Sequence, residues 1–110
     1  MNISVQENNG LKIIKFEGEF SVFFQDEIES SIDKNIKDIA PEKFILDLSD
    51  VNYLDSSGIS MIVISAQKIK GKVNLAGCQP NVKYVLELAE IGEIVNYYDS
   101  IEEAIEQLSS

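Results

Sequence analysis

Residues 44–59 read FILDLSDVNYLDSSGI, in which an apolar strand-like run is followed by a predicted helix. The first five residues are apolar except for Asp47, which predicts a central strand that Ser49 and Asp50 end. Beyond residue 58, five apolar residues recur at helical spacing and predict one buried stripe: Ile59, Ile62, Val63, Ala66 and Ile69.

Three consecutive residues at this junction, Asp55, Ser56 and Ser57, are all favoured types for a helix N-cap. A helix start offers free backbone N–H groups and the positive end of the helix dipole. A phosphate on the hydroxyl of Ser57 would be stabilised by those groups, which makes this serine a candidate modification site. The local pattern alone favours the simpler alternative, in which the three residues only cap the helix.

The length and the cysteine usage bound the class of protein. The 110 residues predict one domain spanning 1–110, with a core of its own. The single cysteine, Cys78, follows a predicted strand end and is expected to be half-buried and unreactive. An unpaired cysteine and the lack of a signal peptide favour the cytoplasm, and no apolar stretch suggests a membrane span.

The charge balance excludes several functions. Nineteen acidic residues against nine basic ones, all lysine, give a net charge of −10. This balance argues against nucleic-acid binding and against anionic membrane surfaces, and it suits a partner with a basic face. The chain has no histidine, so the commonest general base, the Ser-His-Asp triad and the commonest metal ligand are all missing.

We therefore expect no enzymatic activity, no cofactor and no metal. Three aspartates around the central strand, Asp47, Asp50 and Asp55, would suit magnesium. Simpler roles explain them better: Asp47 at a polar sheet edge, Asp50 in a turn and Asp55 as a helix cap.

The patterns along the chain predict the element order β-β-α-β-α-β-α-β-α. Two short strands flank the turn signal at residues 8–10, and Ser21 is expected to cap a helix that runs to Ile39 and is stopped by Pro41. Later segments predict a strand at 73–76, a helix from Pro80 whose buried stripe includes Leu88, a strand at 94–97, and a helix opened by a capping box at residues 100–103. Strands alternating with helices predict an α/β fold, a mostly parallel sheet with an antiparallel N-terminal edge pair.

Two apolar features exceed what a buried stripe needs. Of the pair Phe23-Phe24, core packing accounts for one ring, and the other is expected to be partly exposed. On the central helix, Met61 and Ile64 fall on the side away from the sheet, together with Ser57, Ser60 and Lys68. They form either an exposed patch for a partner or a contact with a neighbouring element, and both interpretations stay open.

The segment from Phe44 to Gly58 resembles the strand and phosphorylation loop of bacterial anti-sigma factor antagonists, the small single-domain STAS proteins. The similarity extends over the chain: Gly18-Glu19-Phe20 resembles the family's Gly-Glu-Leu, residues 73–77 its fourth strand, and residues 86–94 the segment that follows. The Asp-Ser-Ser-Gly loop after a Leu-Asp-Leu strand is the most specific part of the match.

The resemblance implies a partner switch. In that family, the serine that Ser57 matches is phosphorylated by a partner that is both an anti-sigma factor and an ATP-dependent serine kinase. The unphosphorylated form binds the anti-sigma factor and frees the sigma factor, and a PP2C-type phosphatase resets the cycle. The contact is expected on the central helix and adjoining loops, at the following residues: Ser21, Asp55, Ser56, Ser57, Gly58, Ser60, Met61 and Ile64. Alone, the protein is expected to be a monomer or weak dimer.

The chain departs from the family pattern at one position. Many members carry an aspartate directly after Gly-Glu-Leu, whereas this chain has Ser21. Some STAS relatives work as subunits of scaffold or transport complexes without a switch. A non-switching subunit, in which residues 55–57 are a cap and a contact, is therefore the alternative function.

Overall fold

The computed structural model describes residues 1–109, in which strands and helices alternate in the predicted order. The α/β class is confirmed. None of the helices in this range is long and apolar enough to cross a membrane. The elements are β1 (Asn2–Asn8), β2 (Leu11–Phe20), α1 (Gln25–Ile36), β3 (Phe44–Leu54), α2 (Ser56–Ile69), β4 (Val73–Ala76), α3 (Pro80–Leu88), β5 (Val95–Tyr98) and α4 (Ile101–Leu108), with 3₁₀ turns at Val22–Phe24 and Pro41–Lys43.

The five strands form one sheet in the order β1-β2-β3-β4-β5. The turn at Asn9 and Gly10, both with positive φ, joins β1 and β2 into an antiparallel pair at one edge. The pairings of β2 with β3, β3 with β4 and β4 with β5 are all parallel. A mostly parallel sheet with an antiparallel N-terminal edge is therefore confirmed.

Side chains of alternate strand residues enter two cores on opposite faces of the sheet. The larger core packs residues such as Ile14 and Leu46 against the buried stripes of α1, α2 and α3. The smaller core packs the neighbouring residues Ile13 and Ile45 against Ala104 of α4. Because successive strand side chains point to opposite faces, a near-continuous apolar run such as 44–48 supplies both cores.

The central strand is longer than predicted. Ser49 and Asp50 do not end β3, which continues to Leu54 and stays paired with β2 across two register shifts. Each shift places an extra β3 residue opposite β2, as in a β-bulge. Asp47 does not face a polar edge: it is buried in the central strand and accepts hydrogen bonds from the backbone N–H and the hydroxyl of Ser49, at 3.0 and 2.7 Å. Asp50 is a strand residue that pairs with Lys15 at 3.0 Å.

Several element boundaries differ from the prediction. α1 ends at Ile36 rather than at Ile39, because Lys37 is extended and Asp38 adopts a positive φ. Leu88 is exposed and does not belong to the buried stripe of α3. At α4 the predicted cap is present, since the Ser100 hydroxyl accepts from the Glu103 N–H at 3.1 Å.

Cys78 lies just beyond β4 and is half-buried, as expected. Burial disfavours the thiolate and raises the pKa of the thiol from 9.0 to about 11, although Lys83 acts weakly in the opposite direction. Because the thiolate is the nucleophile, the folded protein holds this cysteine in its unreactive form at neutral pH.

We predict slow alkylation of Cys78 in the folded protein. A pKa raised by two pH units lowers the thiolate fraction at pH 8 roughly 100-fold, and the iodoacetamide rate should rise about tenfold per pH unit up to about pH 11. The guanidinium-unfolded chain is the control and should react at the rate of a free thiol. A folded-state rate that levels off near pH 9 would contradict the prediction.

Candidate functional site at the start of the central helix

The central helix α2 begins where β3 ends, and Asp55 is its N-cap. Asp55 has an extended backbone, with φ −112° and ψ −173°, and its Oδ1 accepts a hydrogen bond from the Gly58 N–H at 3.0 Å. Its carbonyl accepts the first helical bond, from the Ile59 N–H at 3.1 Å. The role of Asp55 as a cap is confirmed.

The second carboxylate oxygen of Asp55 holds a different segment. Oδ2 accepts the N–H of Val22 at 3.1 Å, and the Asp55 N–H donates to the carbonyl of Phe20 at 3.4 Å. One side chain thereby joins the start of α2 to the 3₁₀ turn that follows β2. The prediction that Ser21 caps α1 is wrong, because the residues after it form this turn and its side chain makes no capping bond.

Gly58 lies in the first turn of α2, against the end of β2. A Cβ atom at this position would stand 2.3 Å from the carbonyl oxygen of Phe20 and 3.1 Å from a side-chain carbon of Leu54. The nearest atom belongs to backbone, which cannot rotate away as a flexible side chain does. The glycine is therefore required by close approach of the two segments.

We predict that Gly58→Ala lowers the free energy of unfolding by roughly 1–3 kcal/mol or more, because the methyl group overlaps the Phe20 carbonyl. The matched control is Gly92→Ala, since a Cβ at Gly92 meets nothing within 4 Å and that change should stay within about 0.5 kcal/mol. Urea denaturation of both variants measures the difference. Equal stabilities would show that α2 does not require the close approach.

The two serines of the first turn of α2 differ in exposure: Ser56 is exposed, and Ser57 is half-buried. Since Asp55 occupies the N–H groups of Gly58 and Ile59, the N–H groups of Ser56 and Ser57 are the first-turn donors without a helical acceptor. A phosphoryl group on the Ser57 hydroxyl would therefore lie near two free N–H donors and the positive end of the α2 dipole. The Asp55 carboxylate, also nearby, would oppose it.

The outer face of α2 is only partly exposed. Met61 is 2% exposed and belongs to the larger core, so the interpretation of Met61 as part of an exposed patch is wrong. Helix α1 packs beside α2 on the same face of the sheet and covers Met61. Ile64, one turn further, is 42% exposed, and Ser60 is exposed. The accessible residues of this face are therefore the half-buried Ser57 and the exposed Ser60, Ile64 and Lys68.

Two more of the predicted contact residues are buried. Gly58 lies beneath the helix start, and Ser21 is fully buried, with a hydroxyl that has no hydrogen-bond partner within the described residues. Neither offers a side-chain group to a partner in this conformation. The residues among the eight that remain accessible are Asp55, Ser56, Ser57, Ser60 and Ile64.

Side chains that the sequence did not single out also hold the bulged end of β3, which leads into α2. From the start of α3, the Gln79 side-chain amide donates to the Ser49 carbonyl at 3.1 Å and that of Asn81 to the Asn52 carbonyl at 2.9 Å. Both acceptors lie in the bulged part of β3, where the ladder is interrupted. Only amide residues beside Pro80 could have suggested these bonds, and that pattern is weak.

The described residues hold no metal-ligand cluster, and their clefts are small or open. Residues 1–109 contain no group of three or more His, Cys, Asp or Glu side chains placed to hold a metal ion. The cleft between α1 and α2 has a volume of about 160 Å³, below the roughly 300–1,000 Å³ of typical small-molecule sites. Two wider, more open depressions of about 400 and 460 Å³ lie on the polar surface of α1 and beside Glu87, Glu90 and Glu93. The arrangement suits a modifiable hydroxyl on a rigid surface.

A scan against protein-family models matches residues 2–104 to the STAS domain. The chain belongs to the STAS family. An anti-sigma F factor antagonist from Paenibacillus polymyxa is 23% identical over 98% of this chain and 95% of its own length.

Solved structures carry the same fold as this STAS domain. An anti-sigma factor antagonist from Mycobacterium paratuberculosis matches with a TM-score of 0.88 and 20% identity, over 99% of this chain and 94% of that one. The phosphorylated form of the Bacillus cell fate determinant SpoIIAA matches with a TM-score of 0.69 and 18% identity, over 97% and 99% of the two chains. At these identities the likeness concerns the fold.

Proposed function

We propose that this STAS domain is a phosphorylation-controlled anti-sigma factor antagonist. In its unphosphorylated form it binds an anti-sigma factor of the serine kinase type and so frees a sigma factor. Phosphorylation of Ser57 ends the binding, and a PP2C-type phosphatase restores it. The domain acts as a binding module without catalysis of its own, in the cytoplasm where sigma factors work.

The observation that carries the proposal is the placement of Ser57 in the first turn of α2. Its partly accessible hydroxyl sits beside free backbone N–H groups, on a helix start that Asp55 and Gly58 fix to the rest of the fold. One relative and one structural neighbour carry the antagonist name, and a further structural neighbour, a Bacillus cell fate determinant, is described in a phosphorylated form; these support the assignment.

The effect of the phosphate follows from charge and desolvation. A phosphoserine adds about −1.5 to −2 charges at pH 7, next to Asp55 and on a chain that already carries −10. The dipole and the free N–H groups of α2 offset part of this charge locally, so the fold persists. A partner surface that fits a neutral hydroxyl, however, would have to desolvate a dianion, and binding is lost.

The direct test is intact mass after expression in the native host, followed by peptide mapping of the segment around α2. We expect one added phosphate, located on Ser57 rather than on the more exposed Ser56. The matched variants are Ser57→Ala, which should abolish the added mass, and Ser56→Ala, which should retain it. An unmodified segment under every growth condition would favour the non-switching subunit.

We further expect Ser57→Asp to weaken binding of the anti-sigma factor at least tenfold while leaving the unfolding free energy nearly unchanged. Desolvating a carboxylate that lacks a partner costs on the order of 2–5 kcal/mol in an interface. Ser57→Ala should bind as the parent does and resist being switched off. Ser30→Asp, which makes the same change on exposed α1 surface, is the control for net charge. If Ser57→Asp bound as tightly as the parent, electrostatic exclusion would be the wrong mechanism.

A further inference from the structure

The 3₁₀ turn at Val22–Phe24 exposes an aromatic ring that the fold itself does not use. Phe23 is 82% exposed, whereas the ring of Phe24 is partly buried and packs on the larger core, so the expected division of the pair is confirmed. Val22 beside it is 54% exposed. Leaving a phenylalanine in water forgoes hydrophobic stabilisation that burial against a second protein would recover.

The backbone on both sides of Phe23 is held in place. The Val22 N–H donates to Asp55 at 3.1 Å, the Phe24 N–H donates to the Ser21 carbonyl at 3.1 Å, and the Gln25 N–H donates to the Val22 carbonyl. The packed ring of Phe24 adds a side-chain anchor. A rigidly presented aromatic ring loses little conformational entropy on binding, which is a property of interface hot spots.

The charges around this turn have one sign. Asp26 and Glu27 follow it in the first turn of α1, and both are exposed. The lysines lie elsewhere in the described chain: Lys15 is paired with Asp50, Lys83 lies over the Tyr97 ring, and the other seven are near the opposite end of the parallel strands. These seven lysines lie near the starts of β2 and β3, in the last turns of α1 and α2, or in the segments that follow those helices. They are Lys12, Lys34, Lys37, Lys43, Lys68, Lys70 and Lys72.

We infer that Phe23 is a docking anchor, and that the anti-sigma factor kinase receives it in an apolar pocket ringed by lysine or arginine side chains. This inference rests on the proposed function and specifies the partner surface. Asp26 and Glu27, which follow the anchor, are negatively charged, so a complementary partner surface carries basic side chains around the pocket. The hydrogen bond from the Val22 N–H to Asp55, two residues before Ser57, holds the turn that carries Phe23 against the start of α2.

The test uses purified recombinant anti-sigma factor kinases encoded in the source genome, each titrated against the full-length protein by calorimetry and assayed for phosphorylation of Ser57. Phe23→Ala should weaken binding of the cognate kinase at least tenfold. The matched control is Tyr84→Ala, because Tyr84 is another aromatic residue, 64% exposed, on α3. Both variants remove exposed rings, so both should keep the unfolding free energy of the parent.

A second arm tests the charge of the pocket. Glu27→Lys should slow association several-fold and weaken its dependence on salt, because a lysine faces the basic ring. Glu106→Lys makes the same change in net charge on exposed α4 surface and should leave association nearly unaltered.

The outcomes separate the two proposals. A kinase that binds the parent and phosphorylates Ser57, but binds Phe23→Ala as tightly, overturns the anchor and leaves the proposed function standing. Equal losses for Phe23→Ala and Tyr84→Ala also overturn the anchor, because the effect would then be a general loss of apolar surface. If no kinase binds or phosphorylates the parent, the proposed function fails, and the anchor fails with it.

Discussion

The close approach of Gly58 to the carbonyl of Phe20 fixes the geometry where β2 ends and α2 begins. Because no side chain stands between them, the first turn of α2 lies directly on the end of β2. At that separation a single carboxylate, Asp55, reaches both the α2 N-terminus and the turn at Val22. Ser56 and Ser57 therefore lie on backbone that is held by the packing of Gly58 and by the hydrogen bonds of Asp55.

The bulged end of β3, which leads into α2, is held by side chains from the start of α3. Each extra residue leaves a carbonyl of the central strand without its usual partner, and the amide side chains of Gln79 and Asn81 donate to two carbonyls there. α3 therefore supports the bulged end of β3 as well as covering the sheet. A rigid second layer beneath a site is what holds functional groups at constant geometry.

Local patterns predicted what depends on local chemistry. The run at 44–48, the cap at Asp55 and the turn at residues 8–10 are decided by neighbours along the chain, and the structure agrees with each. Met61 could not be placed this way, because its burial depends on α1, whose packing against α2 is a tertiary event. Ser21 misled for a related reason: the Val22 N–H after it is bound by a carboxylate 33 residues away. The continuation of β3 was missed because bulges break the two-residue alternation that identifies a strand.

The net negative charge of the chain also matters for the exposed edge strand β1. β1 is seven residues long, largely exposed and free of lysine and proline, so the outer row of its backbone N–H and C=O groups is open to another strand. Natural sheets usually shield such an edge with charge or proline. Here the shielding is carried by the molecule as a whole, through a net charge of −10 that keeps copies apart. This repulsion weakens as the carboxylates are protonated near the isoelectric point of about 4.3. At that pH the uncovered edge of β1 sets the colloidal stability of the protein.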